Sequence, residues 1–469
     1  MSSEAPATIS KPVDESGCVP NGKEMSKISQ IMGGKLNLKT VMNWTTKGGL
    51  AIVDQGLITG SNFLLSILLA RWLSREEYGA FALGFAIFLL VATLYQALLL
   101  EPMSVFGGSD YYPRLRTYLR SLVRIHLIAT MGIVLAIGLS AGVAKATGHA
   151  DGLPGALAGV ALSAPCVLLL WLARRAFYLQ LSSSFAVRGA VIYCVLLVGG
   201  LFFAHSRGLL SSFTAFALTG ISALLSSGFL LLCLWKRVKA SGTALHLKEV
   251  WGRHWGYGQW ALLAAAAMWI PANMFYPLVS SFSGVASAGE LKALLNFFNP
   301  IFQAYAALSL LLLPYASRKQ SEGAHAGTLA WRITLLCASG TIVYWVIVVA
   351  LSGPAFRLLY GGRYMEVASL LPVVALGSIF ENAFFGPAII LRAMEAPKAV
   401  FAALLAAAIF SLALGVPATW AFGVRGAVWS QSLSSVVGFG VALFVLKRKL
   451  ASKPREKMEE SSPLLAAQS

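Results

Sequence analysis

A chain of 469 residues would ordinarily divide into about three soluble domains, but 57% hydrophobic against 12% charged residues is not a soluble composition. Soluble domains carry roughly 25% charged residues to wet their surfaces, and a mean hydropathy of +0.72 leaves lipid as the solvent for most of this chain. The net charge of +18 would suggest nucleic acid in a soluble protein. Here the basic residues stand in short segments between apolar blocks, so no nucleic-acid partner is expected. The five cysteines, Cys18, Cys166, Cys194, Cys233 and Cys337, are widely spaced without a CxxC pair, which points to no metal site, no cofactor and no structural disulfide.

The first 48 residues are polar and hold no apolar core with a cleavage site, so a cytoplasmic tail is expected there and not a cleaved leader. Twelve apolar blocks follow, at 50–70, 79–100, 125–144, 153–173, 190–205, 211–235, 258–281, 293–316, 333–352, 367–391, 399–419 and 426–446. About 20 residues suffice for a helix to cross a hydrocarbon core, and no stretch alternates with the period of a barrel strand, which leaves helices. With the N-terminal tail inside, 29 Lys and Arg fall on the inner side and 8 on the outer. Positive residues mark the cytoplasm, so both termini are placed there.

Residues 236–257 carry Lys236, Arg237, Lys239, Lys248 and Arg253 among Leu245, Leu247, Val250, Trp251 and Trp255, and read as a cytoplasmic amphipathic linker lying in the interface. The linker separates an N-terminal six-helix lobe, 49–235, from a C-terminal one, 258–447, and residues 448–469 read as a disordered cytoplasmic tail. Weak matches line up across this division: Asn62 stands seventeen residues before Gly79, and Asn273 sixteen before Gly289. The expected fold is therefore an all-α polytopic membrane protein of twelve transmembrane helices in two pseudo-symmetric six-helix lobes, a transporter architecture.

In the first block Gln55, Thr59, Asn62 and Ser66 form one helical stripe beside Asp54 and Ser61. It faces either a watery cavity or another helix, since Gly56 and Gly60 also make a GxxxG packing motif. A second stripe joins Asn296, Asn299 and Gln303 next to Pro300, and the seventh block adds Gln259, Asn273, Pro271 and Pro277. Broken helices of this kind mark midplane binding sites. Asp54, Glu101 and Glu381 are the acidic residues within or at the edge of spans, which makes them candidates for coupling to H+ or Na+, with a structural ion pair or hydrogen bond as the alternative. At span ends Arg71, Arg174, Arg175 and Arg392 can grip a phosphate bidentately or anchor the helices among headgroups. Tyr360 and Tyr364 read as an outer aromatic belt or as platforms for sugar rings. The outer loops are short and no phosphate loop is present, so the chain is not expected to be an enzyme.

The run DQGLITGSNFLLSILLARWLSREEYGAFAL from Asp54 has Asp54-Gln55, Gly60, Asn62, Ala70-Arg71 and Glu77-Tyr78-Gly79 as its telling positions. With RRAFYLQ from Arg174, LLYGGRY from Leu358 and LRAMEAPKAV from Leu391, it resembles polysaccharide repeat-unit flippases (O-antigen and exopolysaccharide) of the multidrug/oligosaccharidyl-lipid/polysaccharide exporter superfamily. The resemblance extends from about Gly49 to Lys449. It implies a MATE-like bundle in the bacterial inner membrane that turns undecaprenyl-pyrophosphate-linked oligosaccharides to the periplasmic leaflet by alternating access, for surface polysaccharide biosynthesis. The implied partners are the lipid-linked oligosaccharide, membrane lipids, H+ or Na+ as coupling ion and a polysaccharide polymerase complex. Such proteins often hold the pyrophosphate in a cationic central cavity, whereas no Lys or Arg falls at mid-span here. Arg71, Arg174, Arg175 and Arg392 are then the available phosphate holders, and Gln55, Asn62, Asn273, Asn296, Asn299 and Gln303 the groups for sugar hydroxyls. A cation-coupled multidrug extruder and a non-transport enzyme or scaffold of polysaccharide assembly stand as alternatives.

Overall fold

A backbone in lipid must satisfy its own hydrogen bonds, and in the computed structural model every regular element among the described residues is helical. Those residues are 38–108, 110–148, 152–180, 182–238, 245–321, 325–394 and 396–466, so Cys18, most of the expected N-terminal tail and residues 239–244 of the expected linker lie outside them. The chain divides into two units, Met1–Leu50 and Ala51–Ser469. Residues 38–50 of the first are helical, and all that follows belongs to the second.

The first six helices are α1 (Ile52–Trp72), α2 (Arg75–Phe106), α3 (Leu115–Ala146), α4 (Leu153–Leu179), α5 (Ser183–Ser206) and α6 (Ser212–Arg237). After them come α7 (Leu247–Asn273), α8 (Phe275–Ser283), α9 (Val285–Asn296), α10 (Asn299–Ser321), α11 (Ala326–Ala350), α12 (Ser352–Tyr360), α13 (Leu371–Ala383), α14 (Phe385–Ala393), α15 (Pro397–Phe410) and α16 (Val416–Ala466). Among the described residues nine helices are long and apolar enough to cross a membrane, or ten with the bent pair α7–α8 counted as one span.

The twelve expected spans differ from this in two places. The last two fuse into one apolar stretch, Lys398–Ala451, of 54 residues, inside which Gly423, at φ 56, turns the chain. A straight helix of that length would be about 80 Å long against a core of about 30 Å. The eighth expected span is divided between α9 and α10. In place of a disordered tail, residues 448–466 continue α16, consistent with their many Lys, Arg, Glu, Met and Leu, all good helix formers. The cytoplasmic linker is likewise not separate from residue 247 onward, since α7 runs without a break from Leu247 into its apolar part at Ala261.

Three of the divisions have one cause. Proline lacks an amide hydrogen and its ring crowds the carbonyl four residues back. α7 ends at Asn273 before Pro277, α9 at Asn296 before Pro300 and α13 at Ala383 before Pro387, each ending four residues ahead of its proline. The first break bends the chain by 42°. Within α2 the same geometry gives a π-helical turn, Gln96–Leu100, four residues ahead of Pro102 at Leu98.

The carbonyl freed at Leu98 accepts a hydrogen bond at 3.0 Å from Nδ1 of His254, whose Nε2 accepts one from the Tyr118 hydroxyl at 2.8 Å. This docks the start of α7 onto α2 and α3. Gly258 lies so close to Ala97 and Leu98 that a side chain there would collide. Arg253 pairs with Asp110 at 2.5 Å and covers the rings of Phe106 and Tyr111. Elsewhere α4 packs on α6, α3 and α2 in the first half, and α16 on α13 and α15 in the second. The two halves meet where α9 lies along α2.

His254 precedes the apolar part of α7 and is fully buried, and burial lowers its pKa to about 4. The folded state thus holds the neutral ring while the unfolded chain takes a proton below about pH 6.5. Stability is expected to fall as pH drops from about 6.5 towards 4, by at most about 3 kcal/mol. Unfolding in detergent followed across that range should show a slope that His254→Gln lacks; equal slopes would exclude His254 as the source.

Candidate functional site

Where α9 meets α2, contact is backbone to backbone. A Cβ on Gly79 would overlap the Val285 carbonyl, and one on Gly289 would lie 3.1 Å from the Gly79 nitrogen. Beside this seam four side chains close on one another. Ser66 of α1 donates to Asn296 Oδ1 at 3.0 Å, and the Tyr78 hydroxyl lies 3.1 Å from Ser66. Asn296 Nδ2 donates to Tyr78 at 3.1 Å and to Tyr360 at 3.3 Å, and Tyr360 donates to the Ala293 carbonyl at 2.9 Å. Nearby Arg75 pairs with Glu366, Arg363 donates to the Leu73 carbonyl, and Arg71 donates to the Leu358 carbonyl at 3.2 Å. These loops all belong to the side expected to be outer.

Each position of the Glu77-Tyr78-Gly79 motif has a structural task. Glu77 accepts from the Ser212 amide at 2.7 Å at the start of α6, Tyr78 joins the network and Gly79 makes the seam. Tyr360 and Tyr364 are fully buried, neither a belt nor a sugar platform, because Gly361 and Gly362 at positive φ fold the loop back. The expected stripe Asn296, Asn299, Gln303 is split: the break before Pro300 sends Asn296 into the network, leaves Asn299 half-buried at the start of α10 and leaves Gln303 exposed.

The first-helix stripe is divided: Asp54, Asn62 and Ser66 meet partners on other helices, while Thr59 is half-buried and Gln55 is exposed. Asp54 is completely buried and Arg174 is 8% exposed. Arg174 Nε and Nη2 donate to the two Asp54 oxygens at 3.2 and 2.5 Å, and Tyr178 also donates to the carboxylate. An expected ion-coupling residue and an expected phosphate holder thus occupy each other. Asn62 accepts from the Tyr193 hydroxyl at 3.0 Å, while exposed Gln55 reaches only Thr59, at 3.4 Å. Arg175 is half-buried and lies within electrostatic reach of Glu101 at the end of α2.

In the second half, Glu381 lines a small open cleft with Phe298, Ser378, Gln431, Ser432 and Ser435. Ser435 donates to its carboxylate at 3.4 Å. Next to it Asn382 is fully buried, and its Oδ1 has no hydrogen-bond partner. Arg392 does not share a helix with Glu381, since the break before Pro387 intervenes, and it is exposed at the end of α14. Asn273 stands half-buried at the α7–α8 break. Among the described residues no group of three or more His, Cys, Asp and Glu is placed to hold a metal ion.

The sequence reading missed Lys292. It was counted in an outer loop before a span starting at Ala293, yet α9 begins at Val285 and carries Lys292 two turns in, 6% exposed. Its Nζ lies 3.9 Å from the ring centre of Phe85 on α2 and 5.9 Å from that of Tyr276 on α8. None of the three ion pairs among the described residues involves it. Hydropathy hid this helix because Val285–Glu290 is made mostly of small residues and ends in a glutamate. The match of Gly289 to Gly79 was the available signal.

No protein-family model matches the sequence, and no curated protein is similar to it in sequence. Solved structures do match. The inward-facing conformation of a multidrug resistance MATE family transporter of the MOP superfamily aligns at TM-score 0.72 with 12% identity, covering 86% of this chain and 99% of that chain. Lipid II flippase MurJ in an inward closed conformation aligns at TM-score 0.64 with 15% identity, covering 85% and 87%. An outward-facing MATE family multidrug transporter aligns at 0.60 with 14% identity, covering 90% and 98%. The fold is that of these transporters.

The Asp54–Arg174 pair is open to a double-mutant cycle. Removing one partner leaves a buried charge uncompensated, so Arg174→Met and Asp54→Leu should each cost about 3–5 kcal/mol. The double replacement should cost clearly less than either sum. Reversible unfolding in mixed micelles measures this, and additive costs would mean that the two side chains do not depend on each other.

Proposed function

We propose that this protein is a flippase for lipid-linked oligosaccharides carrying a pyrophosphate. It moves undecaprenyl-linked repeat units across the bacterial cytoplasmic membrane by alternating access, with both termini in the cytoplasm and a polysaccharide polymerase complex as the consumer of its product. The observation that carries this reading is Lys292, a buried cation between the halves that faces two aromatic rings and no carboxylate. Cation–π contact only partly replaces hydration, so the site favours an incoming anion. A pyrophosphate meets that need, whereas a cationic drug would be repelled. Closure at the α2–α9 seam, and the higher TM-score to the inward-facing than to the outward-facing transporter, support a state closed on the outer side.

Deleting the gene should leave complete lipid-linked repeat units on the inner leaflet. Lys292→Met, at equal membrane levels, should reduce their translocation about ten- to hundredfold, the loss typical of a hydrogen bond to a charged group, while Lys292→Arg should retain part of it. Normal lipid-linked sugars with altered drug tolerance would instead identify an extruder, the reading that the Glu381 cleft favours because a carboxylate without a cationic partner attracts cations.

Glu381 is our candidate for ion coupling, supported by its cleft and by the orphaned Asn382 Oδ1 beside it. Glu381→Gln keeps shape and removes charge. It should reach the membrane and lose the dependence of transport on a proton or sodium gradient; unchanged gradient dependence would remove Glu381 from the coupling.

A further inference from the structure

Arg116, Arg120 and Arg124 stand four residues apart along α3, one stripe extending about 12 Å along the helix. None of them takes part in the ion pairs formed among the described residues, and the buried Nε of Arg116 has no hydrogen-bond partner. The guanidinium of Arg120 lies 5.9 Å from the ring centre of Trp235 at the end of α6, and Lys236, next in the chain, is exposed. α3 is also the least covered of the membrane helices, with 17% of its apolar window buried. Beyond Arg124 the same face continues at steps of three or four residues through Ile128, Met131, Leu135 and Leu139, the last 71% exposed.

We propose that the first turns of α3 and the end of α6 form a binding site for the headgroup of an anionic phospholipid. Cations without protein partners cap an exposed apolar track, and this order of charge and grease along one helix face matches a lipid, head first and then acyl chain. A soluble anion would use the arginines and leave the track idle. Guanidinium forks suit phosphate oxygens bidentately, Trp235 orients Arg120 towards them, and the unpartnered Nε of Arg116 supplies one further donor. The site is on the outside of the first half and is independent of the transport reading.

The probe is phosphatidylglycerol, present as a minor component in phosphatidylcholine nanodiscs holding the full chain, with retained lipid counted by native mass spectrometry. Wild type should retain phosphatidylglycerol, and Arg120→Gln/Arg124→Gln should reduce that retention at least about fivefold, since each cation near an anionic headgroup contributes on the order of 1 kcal/mol. Lys447→Gln/Arg448→Gln, which removes the same charge from the second half, should leave retention unchanged. Equal losses in the two doubles would show general attraction to a basic protein and overturn the site. Arg120→Lys/Arg124→Lys preserves the charges that guide membrane insertion and keeps the test decisive if the Gln pair fails to insert: partial loss supports guanidinium recognition, and full retention overturns it. Displacement of the lipid by inorganic phosphate would overturn the lipid assignment in favour of a free anion.

Discussion

Four prolines without an amide hydrogen organise the working parts of this molecule. Each frees a carbonyl four residues back, and in lipid that carbonyl must find a new partner or the helix must end. At Leu98 it finds His254, which brings α7 against the first half. At Asn273, Asn296 and Ala383 the helices end instead. The breaks place Asn296 between α1, α2 and Tyr360, and they put Glu381 and Asn382 on a different helix from Arg392. A continuous helix at any of these positions would carry its polar residues along one line and bring none of them together.

Buried charge follows a second rule, visible in the contrast between two cations. Arg174 is neutralised in place by a bidentate carboxylate and a tyrosine hydroxyl, an arrangement that costs much to disturb from one side only. Lys292, equally buried, lies over the rings of Phe85 and Tyr276 and joins none of the ion pairs formed among the described residues. The first is finished as a structural unit, while the second is the group to which the proposed function assigns the substrate's phosphates.

Much of the fold could be read from composition and block length, because hydropathy over 20 residues is a strong local signal. It failed where locality failed. Asp54 and Arg174 are 120 positions apart, and nothing in either neighbourhood announces the pair. The amide stripe of the eighth block was drawn with helical period straight across Pro300, although the proline itself was seen; the period holds only as long as the helix does. Lys292 was lost because the small residues Ser287 and Gly289 and the carboxylate of Glu290 depress hydropathy over the first turns of α9, the stretch where Gly289 lets it approach α2. The positive φ at Gly361 and Gly362, which buries two tyrosines, belongs to a backbone turn that residue polarity does not describe. The stripe from Asp54 to Ser66 was legible as one polar line that avoids lipid, facing a cavity or another helix, and its division among Tyr178, Tyr193 and Asn296 was not.

The seam at Gly79, Val285 and Gly289 sets how such a closure comes apart. Main chain meets main chain there, while Leu291 and Leu294 of α9 and Phe81 of α2 are buried in the surrounding core, so parting the two helices costs apolar contact as well as the polar bonds among Ser66, Tyr78, Asn296 and Tyr360. Each of those polar bonds is worth on the order of 1 kcal/mol in net terms. A single methyl group at either glycine would meet backbone across the seam and wedge α9 away from α2.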